Sequence, residues 1–162
     1  MNYLNLDKEK IGPTVKELNR LLANYHVYYQ NLRNFHWNVK GVHFFDLHEQ
    51  FELLYDDAAD KIDEISELIL ALRHKPTSRL SDYLSMTEIK EGHGDYSEFQ
   101  MVEKLLTDHE VIIRNLRELI RTADEVGDEG TIDMASGFLF ALEKNSWMLD
   151  AWMSKAHQKV YN

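Results

Sequence analysis

The chain has 162 residues, with 18 Lys and Arg against 28 Asp and Glu, which gives a formal net charge of −10. This acidic balance argues against a strong, sequence-independent grip on DNA or on an anionic membrane. The sequence contains no Cys, which excludes disulfides, thiolate metal sites and Cys nucleophiles, so any metal must be held by the eight His and the carboxylates.

The chain shows no sign of membrane insertion or export. No window approaches the run of ~20 apolar residues that a membrane-spanning helix needs. The first ten residues, MNYLNLDKEK, contain no apolar leader. We therefore expect one domain over residues 1–162, located in the cytoplasm.

Two long helices are predicted in the first half, because only two Pro and seven Gly interrupt the chain. The first begins near Gly12-Pro13, with Pro in a favoured first-turn position, and ends before Gly41. The second runs from about Asp46 to Lys75, where Pro76 closes it. Apolar or aromatic residues recur at helical spacing along both, at Leu18, Leu22, Tyr25, Tyr29, Leu32 and Phe35, then at Phe51, Leu54, Tyr55, Ala58, Ile62, Ile65, Leu68 and Leu72.

The second half predicts a crossover and two more helices. Residues 77–96 form the crossover, with a short helix around Ser81–Glu88. The third helix runs from about Ser97 to Glu125, and the fourth begins at Thr131 as N-cap and ends near His157. One long connection between the second and third helices is typical of ferritin-like bundles. The predicted fold class is therefore all-α, a ferritin-like four-helix bundle with a short extra helix in the crossover.

The usual catalytic motifs are missing from the sequence. It contains no G-x-S-x-G, no Gly-rich phosphate loop and no H-E-x-x-H. Carboxylate di-iron bundles usually carry Glu-x-x-His, but the residue three before each His is never acidic here. A conventional metal site in the middle of one bundle therefore lacks its signature.

A different pattern of His and carboxylates lies between His36 and Glu67. His36 continues the apolar stripe of the first helix, so it faces the buried side. On the second helix, His48, Glu52, Asp63 and Glu67 share an arc of about 100°. Glu52 and Asp63 are separated by about 16 Å along the helix axis, so they cannot bind one metal ion within one chain.

These positions have a two-fold relation. The sequence numbers of His48 and Glu67 have the same sum as those of Glu52 and Asp63. Two antiparallel copies of this helix, packed about an axis near Asp57-Ala58, would place each His48 opposite Glu67 of the other copy. Each Glu52 would then lie opposite Asp63. We hypothesise two equivalent metal sites across a dimer interface, each formed by His36, His48 and Glu52 of one chain with Asp63 and Glu67 of the other.

The composition of this site favours iron. Two imidazoles and three carboxylates suit Fe(II) better than Ca²⁺ or Mg²⁺, which prefer oxygen ligands alone, and Zn²⁺ or Mn²⁺ are alternatives. Such a ligand set also leaves coordination positions open to an oxidant. Two nearby residues, His43 and Asp46, are expected to form the turn and the helix start, with auxiliary metal binding as the alternative.

Three motifs resemble the Dps family, the starvation-induced miniferritins: H-W-x-V-x-G at His36–Gly41, L-H-x-x-F-E at Leu47–Glu52 and D-x-x-x-E at Asp63–Glu67. The order and length of the helices extend the likeness over nearly the whole chain. The resemblance implies a dodecamer built from two-fold dimers, with a two-iron ferroxidase site between subunits. Carried over by position, His36 and His48 are ligands from one subunit and Asp63 and Glu67 from its neighbour, while Glu52 occupies an acidic position where Asp is common.

The resemblance also implies an activity. Members of the family oxidise Fe(II), preferentially with hydrogen peroxide, and store ferric mineral in the shell, which protects DNA from oxidative damage. It further implies that Trp37 donates electrons near the site and that Asp128 and Asp133 line a pore for iron entry. Packing of Trp37, and favourable charge at a helix N-terminus for the two acids, are the structural alternatives.

The alternative function is that of a nucleoid-compacting protein that binds DNA, with secondary iron chemistry. DNA-binding members often use a tail rich in Lys and Arg. This chain offers Lys8 and Lys10 beside acidic neighbours, and Lys155 and Lys159 near its end. DNA binding is therefore expected to be weak. A purely structural assembly protein with a vestigial site is a further alternative.

Overall fold

The computed structural model describes residues 3–160, and side chains over residues 3–154. Within this range the chain forms five helices: α1 (Gly12–Asn38), α2 (Phe44–Ala71), α3 (Leu80–Met86), α4 (Glu98–Asp124) and α5 (Glu129–Val160). None of the described helices is long and apolar enough to cross a membrane. The side chains of Lys155 and Lys159 lie outside the described residues. The all-α prediction, with a short helix between the second and third long helices, is confirmed.

The four long helices form the bundle in two hairpin pairs. A short connection joins α1 to α2 and another joins α4 to α5, and each pair packs along its length, while α1 also packs against α4 and α3. The predicted apolar stripes face inward, since Leu18, Leu22, Leu32, Phe35 and Phe51 are completely buried. The pairing of α1 with α2 brings the end of α1 alongside the beginning of α2, where the predicted His residues lie.

The boundaries of α4 follow from capping chemistry. The Ser97 side chain accepts a hydrogen bond from the backbone N–H of Gln100, while the Gln100 side chain accepts one from the backbone N–H of Ser97. At the other end, Gly127 adopts a φ of +68°, and the N–H of Asp128 donates to the carbonyl of Ala123. This arrangement satisfies the last carbonyl groups of the helix, so α4 ends close to the predicted position.

The predicted end of α2 at Lys75 is wrong, because the helix ends four residues earlier, at Ala71. Arg73 takes a left-handed conformation with φ of 64°, and His74 donates its N–H to the carbonyl of Ile69 at 3.0 Å. Pro76 disfavours helical geometry at the residue before it, so the chain leaves the helix before the proline rather than at it.

The predicted N-cap of the last helix, Thr131, is also wrong. The helix begins at Glu129, and Asp128 caps it. Its Oδ1 accepts from the N–H of Thr131 at 3.2 Å, and its Oδ2 accepts from the Thr131 hydroxyl at 2.5 Å. Both residues are good caps, but Asp128 directly follows the left-handed Gly127 that ends α4, so it is the first residue able to start a new helix.

Candidate metal centre

Two histidines from neighbouring helices meet at one end of the bundle. His36 lies in the last turn of α1 and is 9% exposed. His48 lies in the second turn of α2 and is half-buried. Their rings stack with centroids 3.8 Å apart and an angle of 19° between planes. The antiparallel pairing of α1 and α2 therefore creates a pair of imidazoles from residues twelve positions apart.

Hydrogen bonds fix the tautomer of both rings. The Nδ1 of His36 lies 2.8 Å from the backbone oxygen of His48, and the Nδ1 of His48 lies 2.9 Å from the backbone oxygen of His36. A carbonyl oxygen only accepts, so both Nδ1 atoms carry the hydrogen and donate it. In the neutral rings, each Nε2 then keeps its lone pair, as a metal ligand requires.

Glu52 completes a three-residue group with the histidines. It lies one turn after His48 on α2 and is exposed. One ligand atom each from His36, His48 and Glu52 all lie within 4.8 Å of one another. Two nitrogen ligands and a carboxylate leave coordination positions open, so the group favours a transition metal and leaves room for further ligands.

Aromatic side chains support the imidazoles on both sides. Phe44 stacks on His48 with centroids 5.0 Å apart, and the Tyr55 ring meets His36 edge-on at 5.3 Å. Burial raises the pKa of Tyr55, and the neighbouring charges of Glu52 and Asp56 raise it further. Sequence reasoning placed Tyr55 only in the apolar stripe, although its spacing of three residues from Glu52 puts it on the same side of α2.

Asp63 and Glu67 lie on the same helix, are exposed and do not join this group. The single chain thus brings together three of the five predicted ligands. The other two are exposed to solvent further along α2. Their binding of a metal ion together with the histidines of a second chain stays a prediction.

The remaining predicted residues have separate surroundings. The Trp37 side chain is 59% exposed, and the Arg33 guanidinium lies over its ring at 4.8 Å. Asp133 is exposed. Asp128 is buried and uses both carboxylate oxygens to cap α5. A role of Asp128 and Asp133 in a pore, and of Trp37 as electron donor, stays a prediction.

The sequence and the fold have clear counterparts among known proteins. Residues 15–158 match the family model described as ferritin-like domain. A protein of Porphyromonas gingivalis named DNA protection during starvation protein is 45% identical over 155 residues, covering 96% of this chain and 98% of the relative. General stress protein 20U of Bacillus subtilis is 41% identical over 86% of this chain and 96% of its own length.

Solved structures of Dps proteins also match this chain. The crystal structure of the Dps protein from Vibrio cholerae O1 superimposes with a TM-score of 0.91 and 38% identity, over 94% of this chain and 96% of that one. It is described as a member of a superfamily of ferritin-like diiron-carboxylate proteins. Dps from Staphylococcus aureus superimposes with a TM-score of 0.84 and 41% identity, over 86% and 94% of the two chains. This chain therefore has a ferritin-like fold and belongs to the Dps family.

Proposed function

We propose that this protein is a ferroxidase that oxidises Fe(II), preferentially with hydrogen peroxide, and stores the ferric product in a dodecameric cage. The observation that carries the proposal is the paired geometry of His36 and His48. Each imidazole donates an Nδ1 hydrogen bond to the backbone oxygen of the other His, which leaves Nε2 as the ligand atom. One ligand atom from each of the two rings and one from Glu52 lie within 4.8 Å of one another. This ligand set is ready to bind Fe(II) as substrate without rearranging the tautomers.

A second chain completes the site. If two α2 helices pack antiparallel about a two-fold axis near their centre, Asp63 of one chain lies opposite Glu52 of the other, and Glu67 lies opposite His48. Both acids are exposed in the single chain and therefore available. The completed site has two imidazoles and three carboxylates, enough for two iron ions, and Zn²⁺ or Mn²⁺ would compete with Fe(II) for the same ligands.

Two irons in one site favour peroxide as oxidant. Each Fe(II) gives up one electron, and one hydrogen peroxide takes both electrons and two protons to become two waters. Because the electrons are transferred as a pair, no hydroxyl radical is released, and both Fenton reactants are consumed. We infer that Trp37, which directly follows His36 in the sequence, reduces any one-electron oxidant that forms when only one iron is bound.

Under this proposal, the protein protects DNA by consuming Fe(II) and hydrogen peroxide. Relatives of this chain carry the name DNA protection during starvation protein. The net charge of −10 per chain opposes contact with phosphates, so nucleoid compaction is the less favoured alternative. A shift of DNA in a gel at low salt, lost on adding modest salt, would favour that alternative.

Mixing of variants tests whether two chains share the site. His36→Ala and Asp63→Ala each damage every site in a homodimer. A mixed dimer has one doubly damaged site and one intact site. Random co-assembly therefore restores about a quarter of the parent's sites. We expect rates of peroxide-driven ferric formation to be low for each variant alone and to rise in the co-assembled sample.

The matched control is Glu64→Ala, which removes an exposed carboxylate next to Asp63 but outside the shared arc. It should leave the rate unchanged. Parent-like rates in both single variants would show a vestigial site. Low rates that do not rise on co-assembly would contradict sharing between chains.

A further inference from the structure

A second pair of potential ligands lies where the connection between α1 and α2 meets the beginning of α4. His43 directly precedes α2, and Glu98 is the first residue of α4. The Nε2 of His43 and the Oε1 of Glu98 are 4.0 Å apart. This distance is too long for a hydrogen bond. Neither residue belongs to the group formed by His36, His48 and Glu52, called here the His36 cluster.

The carboxylate of Glu98 lies in the first turn of α4, where its charge is favourable, but no hydrogen bond holds it among the described residues. Glu98 is 9% exposed, and its Oε2 is buried without a hydrogen-bond partner. Ser97 and Gln100 cap the helix between them, so capping does not use this carboxylate. A buried carboxylate whose Oε2 accepts no hydrogen bond is costly, and a cation bound at its other oxygen, Oε1, on the side of His43, would offset part of that cost.

The surrounding chain is shaped to admit this carboxylate. Gly41 has a φ of +125°, and a Cβ there would lie 2.7 Å from Glu98 Oε2. The His43 ring is held edge-on by Trp152 at 5.3 Å, and Trp152 in turn packs on Phe99 at 5.4 Å. The His43 side chain is still 21% exposed, so the pair is reachable from solvent.

We propose that His43 and Glu98 bind a divalent first-row transition-metal ion, with water completing its coordination. Metal–nitrogen and metal–oxygen bonds are about 2.0 to 2.2 Å long, so two ligand atoms of one tetrahedral ion lie about 3.4 Å apart. The His43 and Glu98 atoms, 4.0 Å apart, reach that spacing by a small movement of the side chains. The mixture of imidazole and carboxylate selects such ions over Mg²⁺ and Ca²⁺. With two protein ligands, the ion exchanges readily.

Zinc is the probe for this site, because it is redox-inert and suits the same ligands. Equilibrium dialysis of the assembled full-length protein gives the number of Zn²⁺ bound per chain. We expect His43→Ala and Glu98→Gln each to lose one equivalent. His74→Ala, which removes a half-buried His beyond the opposite end of α2, should lose none. Crystals of the parent soaked in Zn²⁺ should show an anomalous peak between the His43 and Glu98 side chains.

Glu98→Gln keeps the shape of the side chain. An unchanged number of bound Zn²⁺ in this variant overturns the proposal, and the contact in the parent is then a direct ion pair between His43 and Glu98. A crystal peak without a matching loss in solution means binding at crystal concentration only, and overturns it as well. The His36 cluster is counted separately, since His36→Ala removes its zinc while His43 and Glu98 are intact. Failure here is therefore distinguishable from failure of the ferroxidase proposal.

Discussion

His109 should make the stability of the protein depend on pH. It lies on α4, is 1% exposed and is bonded at both ring nitrogens. The Ser146 hydroxyl donates to the Leu142 carbonyl at 2.7 Å, so its oxygen is free to accept from His109 Nδ1 at 2.8 Å. His109 Nε2 then accepts from the Tyr28 hydroxyl at 2.7 Å. The neutral ring satisfies both partners. A second ring proton on Nε2 would turn the Tyr28 hydroxyl from donor into acceptor, and the Tyr28 hydrogen would lose its acceptor.

The size of the effect follows from linkage. Burial lowers the pKa of His109 from 6.5 to about 3. Between these values the unfolded chain binds a proton that the folded chain does not, so stability falls as pH falls from 6.5 towards 3. Between pH 7 and pH 5 this costs about 2 kcal/mol, or roughly 4 to 8 °C in Tm for a chain of this length.

The assay compares the parent with His109→Gln, which cannot titrate. Urea unfolding at one chain concentration gives the free energy of unfolding at pH 7 and pH 5. His109→Gln should lower the free energy of unfolding at pH 7. The difference in this free energy between parent and variant should narrow by about 2 kcal/mol at pH 5, because all other titrating groups are common to both proteins. The control is His93→Gln, which makes the same substitution at an exposed position outside the core. An equal difference in the free energy of unfolding at both pH values would refute the role of His109 in the pH dependence.

Three further substitutions test the packing and capping of the fold by urea unfolding. Asp128→Ala should cost about 1 to 2 kcal/mol, because it removes the cap of α5 and leaves Thr131 without a partner, whereas Asp128→Asn should cost much less; equal losses would contradict the capping role. Gly92→Ala should cost about 1 to 3 kcal/mol, since its Cβ would lie 2.5 Å from Cζ of Phe35; a neutral effect would mean that the ring moves freely. Gly137→Ala, in a helix with open space around its Cβ, should instead stabilise by about 0.5 to 1 kcal/mol; any loss would show that this face is covered.

The helices and the metal ligands could be predicted because both depend on local spacing. The stripe that includes Leu22 and Phe35 fixes which side of α1 is buried, and His36 continues it. The spacing of four residues between His48 and Glu52 places them together on any helix. These features need only the helical period, so the structure was not required to see them.

Features that depend on contacts distant in the chain could not be predicted in the same way. The exchange of hydrogen bonds between His36 and His48 depends on the register of α1 against α2. The approach of Glu98 to His43 depends on how the crossover returns α4 to the bundle. The left-handed turn at Arg73 has no Gly to signal it, so the proline three residues later was the misleading marker.

Gel filtration after adding Fe(II) and hydrogen peroxide is the most direct test of the central claim, that this chain oxidises iron and stores it in a cage. Protein and ferric iron are followed in the same eluate. Twelve chains of 19.1 kDa should elute together at about 230 kDa, and the iron should elute with them. Elution of the protein as a dimer without iron would contradict the storage function, even if the interface site oxidised Fe(II).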